Sequence, residues 1–222
     1  MGVKEARMRT CYSRVMSHQA YDYTSRDIPR LSAFSDAIFA IALTLPVLEL
    51  RFPDPSQSIQ AQLPEVWPAF VAYLVTFFVG VRQWRVHYGL FDRVTTVDQG
   101  AVNRNSLFLF VFSLLPFTTS TVMGHGREVL AVVIYALNLA ALSFLLVLLE
   151  TWLLKRGFVD SEAVPKTRRS VRLSTGTGCL FILQALLGLV QPRLSLFVPL
   201  ALPLVFRLVD GLEQRDTRDT TA

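Results

Sequence analysis

Six stretches of this chain, at about 31–50, 66–87, 103–123, 128–153, 173–191 and 194–210, are each apolar over the roughly 20 residues that a helix needs to cross a bilayer. No other feature constrains the fold as strongly. A backbone in hydrocarbon must satisfy its own hydrogen bonds, and a single segment of this length does so only as a helix. The fold class is therefore an all-α membrane protein with six transmembrane helices per subunit. Composition agrees, with 52% hydrophobic and only 18% charged residues. The windows leave no room for a separate soluble domain. The expected organisation is a polar tail over 1–27, a six-helix transmembrane domain over 28–210, and a second polar tail over 211–222. Both tails lack helical apolar periodicity and are expected to be mobile. The first window does not read as a cleaved signal peptide, because about 30 polar residues precede it without a short apolar stretch and small-residue cleavage site.

Topology follows from the basic residues. Lys4, Arg7, Arg9, Arg14, Arg26 and Arg30 precede the first window, and Arg82, Arg85, Arg93 and Arg104 flank the second-to-third connection. Lys155, Arg156, Lys166, Arg168, Arg169 and Arg172 flank the fourth-to-fifth, while Arg207, Arg215 and Arg218 lie at the C-terminal end. Of the 22 lysines and arginines, only Arg51, Arg127 and Arg193 fall on the other side. Both termini are expected in the cytoplasm. The basic character then reflects orientation and contact with anionic membrane lipids, not nucleic-acid binding, because the charges are split among segments that spanning helices separate.

Catalytic chemistry finds little to build on. Cys11 and Cys179 lie in a tail and a span, so a disulfide between them is not expected. No Cys/His cluster has metal-ligand spacing, no glycine loop suits a phosphate, and neither GxSxG nor HExxH occurs. Ser35 and Asp36 are adjacent, hence about 100° apart on a helix, and do not face each other. An enzyme, a cofactor and a bound metal are not expected. No internal repeat is visible, which excludes the usual two-repeat transporter in one chain.

The connecting features describe a compact bundle. Trp84 and His87 lie three apart and share a face. Pro116 is placed to kink the third helix, with neighbouring Thr and Ser able to satisfy freed carbonyls. The fourth window reads as having Asn138 for its one strong polar group. "STGTG", opening the fifth, permits close helix contact. The sixth, with Pro199 and Pro203, reads as kinked and peripheral.

The first window, "RLSAFSDAIFAIALTLPVLEL", is unusual for its polar start. On a helical wheel Phe34, Ala37, Ile38, Ile41, Thr44, Leu45 and Leu48 form one stripe, apolar except for a threonine. Such a stripe either packs against neighbouring helices or faces a pore axis. In the second case Ile41, Leu45 and Leu48 form hydrophobic rings that stop ions by dewetting, and Thr44 forms a hydroxyl ring. Asp36, about one turn inside the helix, needs a partner, and Arg30, His87 and Asn105 are the candidates. A buried polar cluster joining the first three helices would set the rotation of the first.

These residues resemble the transmembrane protein 175 family of potassium channels, whose signature is an arginine followed four residues later by Phe-Ser-Asp. Arg30, Phe34, Ser35 and Asp36 match it. "WRVHYGLFDRV" resembles the family's tryptophan–histidine segment ending helix two, and "LLPFTTS" its helix-three end. Two positions depart from the pattern: Tyr88 stands where a second histidine would follow His87, and Pro46 interrupts the first helix. The resemblance implies a potassium-permeable channel without a TVGYG filter, assembled as a homotetramer around four first helices. It further implies a constriction at Ile41, a selectivity layer at Thr44, and pore lining by Leu45 and Leu48. Arg30, Phe34, Ser35 and Asp36 with Trp84, His87 and Asn105 would form the network holding the pore helix. The expected function is a potassium-preferring cation channel in a prokaryotic cytoplasmic membrane, with K+ and membrane lipids as partners. The alternatives are a weakly selective cation or proton channel, and then a transporter.

Overall fold

Proline, glycine and capping side chains decide where each apolar window starts and stops as a helix. The computed structural model describes residues 27–203 except 53, together with residue 207. The expected mobile tails lie outside the described residues, apart from Asp27, which opens the first helix. Helix α1 runs Asp27–Thr44 and tightens into a 3-10 turn, Leu45–Glu49, with Pro46 near its start. Helix α2, Ile59–Phe91, is capped by the Ser58 hydroxyl, which accepts from the Ala61 amide. It begins about seven residues before the apolar window that the sequence shows at about 66–87. Pro64 and Pro68 are carried inside its first turns.

In place of the one kinked helix expected at Pro116, the third window divides into two. Helix α3, Gln99–Ser113, stops at Leu114, and α4, Leu115–His125, restarts with Pro116 in its first turn. The Asn138 amide donates to the Val111 carbonyl (3.1 Å), and the Thr118 hydroxyl donates to Asn138 Oδ1 (3.2 Å), so a neighbouring helix satisfies the break. Helix α5, Val129–Arg156, ends in Gly157 at φ 69°, a left-handed cap suited to glycine. A 3-10 turn, Ser161–Ala163, leads into α6, Val164–Gly188. Helices α5 and α6 pack closely where Gly178 meets the Phe144 ring; a Cβ at Gly178 would lie 2.8 Å from it.

Among the described residues five segments are long and apolar enough to cross a membrane: Asp27–Glu49, Ile59–Phe91, Gln99–His125, Val129–Arg156 and Ser161–Gly188. The expected sixth span is not one helix in its described part. It breaks into α7, Pro192–Ser195, and a 3-10 turn, Val198–Ala201, around Pro199, which has no amide proton for the ladder. The protein is nonetheless an all-helical, multi-pass membrane protein.

Two cores hold the bundle. The larger joins Phe39 and Leu43 of α1, Val79 of α2, Phe108 and Phe112 of α3, Leu139 and Leu146 of α5, and Phe181 of α6. The smaller joins Ile28, Leu90, Phe91, Val97, Ala101, Leu149 and Leu153. It gathers the start of α1, the end of α2, the start of α3 and the end of α5 at one end of the bundle. The same end carries Arg93, Arg104, Arg156 and Lys166. A single antiparallel bridge, Val94 to Val159, ties its two loops together.

Asp98 organises this basic end. Its Oδ1 caps α3 by accepting from the Ala101 amide (2.7 Å) and also accepts from the Trp152 indole (3.0 Å), while Oδ2 lies 3.6 Å from Arg156 Nε. Burial pushes the carboxyl up, but the indole, the amide and the Arg156 guanidinium together hold it below its ordinary 3.8. The folded value lies below the unfolded one, so this stabilisation is present above the ordinary carboxyl value and is lost as pH falls through the folded one. Replacing Asp98 with Ala is expected to lower stability by about 1 kcal/mol at neutral pH. Thermal unfolding in detergent should show the gap between wild type and variant closing under strongly acidic conditions.

Candidate functional site: the first helix and its polar anchors

Helix α1 presents two unlike faces. Ser35, Phe39, Ala42, Leu43 and Pro46 are buried against α2, α3 and α4, Phe39 to 1% exposure. The opposite face stays open: Phe34 is 61% exposed, Ile41 58%, Leu45 44% and Leu48 61%, and Ala37 and Thr44 are exposed beside them. Of the stripe read from the sequence, only Ile38 turns partly inward, to pack on the larger core. Apolar exposure recurs on α3, α4 and α6, where lipid is the natural cover. The α1 stripe carries a hydroxyl, Thr44, as the exposed face of α3 carries Ser106 and Ser113.

The Thr44 hydroxyl donates to its own helix, to the Ala40 carbonyl (2.9 Å) and the Ile41 carbonyl (3.1 Å). With its proton directed back along the helix, the oxygen presents lone pairs outward, the polarity a cation needs. Directly after Thr44 the chain changes from α to 3-10 geometry, so Pro46 ends the α-helix instead of bending a continuing one.

The buried face is held by two sets of hydrogen bonds. In the first, the Asn105 amide donates to Ser35 Oγ (3.1 Å), Asn105 Oδ1 pairs with His87 Nε2 (2.7 Å), and the Ser35 hydroxyl donates to the Leu31 carbonyl (2.8 Å). Ser35, His87 and Asn105 have no exposed surface. In the second, the Trp84 indole donates to Asp36 Oδ1 (2.8 Å). The His87 ring lies between aromatic neighbours, stacked on Phe108 with centroids 5.6 Å apart and edge-on to Phe39 at 5.2 Å. Phe39 in turn lies 4.3 Å from Phe112.

Five of the residues expected in this network thus come together: Ser35, Asp36, Trp84, His87 and Asn105. Arg30 and Phe34 do not. Both are exposed and lie four apart on the outward stripe, and among the described residues Arg30 makes no hydrogen bond or ion pair. The partner expected for Asp36 also differs. It is Trp84, not Arg30, His87 or Asn105, because a step of about 100° from Ser35 turns Asp36 from α3 towards α2. Ser35 and Asp36 are bonded to different partners, and nothing couples them as nucleophile and base. Among the described residues no His, Cys, Asp and Glu are grouped to hold a metal.

Three buried polar features escaped the sequence reading. Glu150 lies within the fourth window, where Asn138 had seemed alone; it is fully buried and accepts from the Ser170 hydroxyl of α6. An ionisable residue inside an apolar window was the available signal. The Gln83 amide donates to Ser143 Oγ (2.9 Å), and the Thr76 and Tyr135 hydroxyls pair at 2.8 Å, joining α2 to α5. These pairs had no visible spacing signal, since about 60 residues separate the partners.

Fold and site therefore define a multi-pass helical membrane protein whose first helix is held in one rotation by its two neighbours. The family model described as "Endosomal/lysosomal potassium channel TMEM175" matches residues 30–116, from Arg30 to the proline at the α3–α4 break. A potassium channel of Streptomyces collinus is 31% identical over 159 residues, covering 67% of this chain and 76% of the relative. The chain belongs to the TMEM175 family of potassium channels. The "Endosomal/lysosomal proton channel TMEM175" of Danio rerio is 38% identical over 90 residues, 35% of this chain and 17% of that protein. The fold resembles the crystal structure of a lysosomal potassium-selective channel TMEM175 homolog from Chamaesiphon minutus. That match has a TM-score of 0.68 at 24% identity and covers 82% of this chain and 97% of the other.

Replacing Asn105 with Leu would leave His87 Nε2 and Ser35 Oγ buried without their partner. The expected loss is about 2 kcal/mol of stability. Unfolding in detergent would show it, and Asn105→Gln should recover less than half, because the longer side chain misplaces both bonds.

Proposed function

We propose that the chain is one subunit of a potassium-permeable channel in a prokaryotic cytoplasmic membrane, with four copies of α1 lining the pore. The observation that carries this reading is the outward stripe of α1, apolar from Phe34 to Leu48 except for Thr44, on a helix whose other face is pinned by hydrogen bonds. The family supports potassium as the ion, and the resemblance of the first helix supports the tetramer. The basic end faces the cytoplasm by the positive-inside rule.

In this reading Ile41 forms the tightest ring. Branched side chains from four helices leave water no polar contact, and the lumen dewets and stops ions when narrow. Thr44 lies three residues further along the same face. Its oxygens, with their protons spent on Ala40 and Ile41, replace part of the hydration a cation sheds. Leu45 and Leu48 extend the apolar lining outward. Gating is a widening or rotation at Ile41. The Ser35–Asn105–His87 and Asp36–Trp84 bonds resist it, so their loss changes open probability as well as stability.

Two substitutions test the assignment in liposomes. Ile41→Asn should raise basal potassium flux severalfold, since a polar ring wets more readily; unchanged single-channel behaviour would remove Ile41 as the constriction. Thr44→Ala should lower the K+/Na+ permeability ratio read from reversal potentials, and an unmoved ratio would place selectivity elsewhere. The vertebrate relative's name supports a second reading, proton conduction. Reversal potentials in opposed K+ and pH gradients separate the two.

A further inference from the structure

The 3-10 turn that ends the first helix, Leu45–Glu49, buries only Pro46, while Leu45, Val47 and Leu48 are 44%, 42% and 61% exposed. Val47 is therefore as open as Leu45, although the helical wheel leaves it outside the stripe. Pro46 has no amide proton, so the Ala42 carbonyl cannot receive the α-helical bond from residue 46. The turn packs against α4, whose Leu115 and Val122 share a core with Ala42 and Leu43. Its far end is closed twice. The Leu50 amide donates to the Val47 carbonyl (3.1 Å), and Arg51 Nε donates to the Leu48 carbonyl (2.9 Å).

The change of helix type redirects the side chains. Three residues advance an α-helix by about 300° but a 3-10 helix by a full turn, so that residues i and i+3 stand on one line. Thr44 is the residue from which the turn starts, and Val47 lies three beyond it. In a continuing α-helix Val47 would lie about 120° from Ile41 and about 60° from Thr44. The 3-10 turn instead sets Val47 directly outward of Thr44, about 6 Å further along at about 2 Å per residue. Leu45 and Leu48 align in the same way. Two parallel ridges thus reach the outer end, and one of them runs from the Thr44 hydroxyl to Val47.

We propose that Val47 is a specificity-determining residue of the pore and Pro46 the positioning residue that brings it there, an inference that rests on α1 being the pore helix. Four Val47 side chains close the outer side of the Thr44 hydroxyl layer with hydrocarbon. A cation arriving from outside must then shed water before it reaches the hydroxyl oxygens that replace it. A smaller ion holds its water more strongly, so this ring obstructs Na+ more than K+. Had the α-helix continued, Val47 would turn aside and leave the hydroxyl layer wetter.

The test is silver block of potassium flux in liposomes, with the full chain carrying Cys11→Ser and Cys179→Ser and one new cysteine at a time. Silver is a monovalent cation that seals the thiols it meets. Block is expected in Ile41→Cys and in Val47→Cys. Adding Pro46→Ala to Val47→Cys should slow its block at least about tenfold, because the side chain then leaves the Thr44 line. Ile41→Cys with Pro46→Ala should stay sensitive, which shows an intact pore. Val47→Thr, an exchange of methyl for hydroxyl at an exposed position, should lower the K+/Na+ permeability ratio about twofold or more. That variant decides the specificity even if Pro46→Ala does not fold. Absence of block at Ile41→Cys and Val47→Cys alike removes the pore reading, and the proposal with it. Block at Ile41→Cys without block at Val47→Cys overturns the proposal alone. So does undiminished Val47→Cys block in the Pro46→Ala background, or a reversal potential that Val47→Thr does not move.

Discussion

The rotation of α1 depends on a few hydrogen bonds made where water is absent. Asn105 joins Ser35 to His87, and Trp84 holds Asp36, so two neighbouring helices grip one side of α1 within a single turn. Side-chain hydrogen bonds between spanning helices contribute on the order of 0.6 to 2 kcal/mol each, so they supply only part of the stability. Their larger effect is on specificity. A helix with aliphatic side chains all round packs almost equally well in many rotations, whereas the buried Ser35 accepts only the one that brings it to Asn105. Once that rotation is set, Ile41, Thr44, Leu45 and Leu48 must face outward.

Packing reinforces the choice. Phe39 fills the space between His87, Phe108 and Phe112, and Leu43 occupies the gap that Gly80 leaves on α2. A side chain at Gly80 would collide with Leu43, so the close approach of α1 and α2 requires glycine there. The aromatic cluster and the polar bonds lie on the same face and are mutually consistent. The break at Pro116 is accommodated by the same logic, because Asn138 of α5 supplies the donor that the interrupted helix lacks.

Much of this is legible in the amino-acid sequence. Window length and the one-sided basic residues imply a multi-pass bundle, and the Phe-Ser-Asp signature with the Trp–His pair marks the first three helices. Legibility ended where geometry depends on partners far along the chain. Arg30 and Phe34 belong to the signature yet face away from the cluster, which only the observed rotation of α1 reveals. Glu150 was masked by the hydropathy of its surroundings, because an average over an apolar window hides one acid. The α2 start lies ahead of the apolar window because Ser58 caps the helix and Pro64 and Pro68 are tolerated inside its first turns.

By itself the sequence determined the solvent of the protein, its helical class and the end at which its charge collects, since each follows from local composition and the cost of unpaired backbone in hydrocarbon. It also determined that one helix would carry a hydroxyl within an apolar stripe. Tertiary structure decided which face of that helix is buried, which partner Asp36 takes, and where the last apolar window breaks. It also brought Gln83 to Ser143 and Thr76 to Tyr135, pairs distant in sequence. The physical reason is common to all four. Periodicity within a helix specifies what its faces are made of, but only contacts between helices choose which face turns inward.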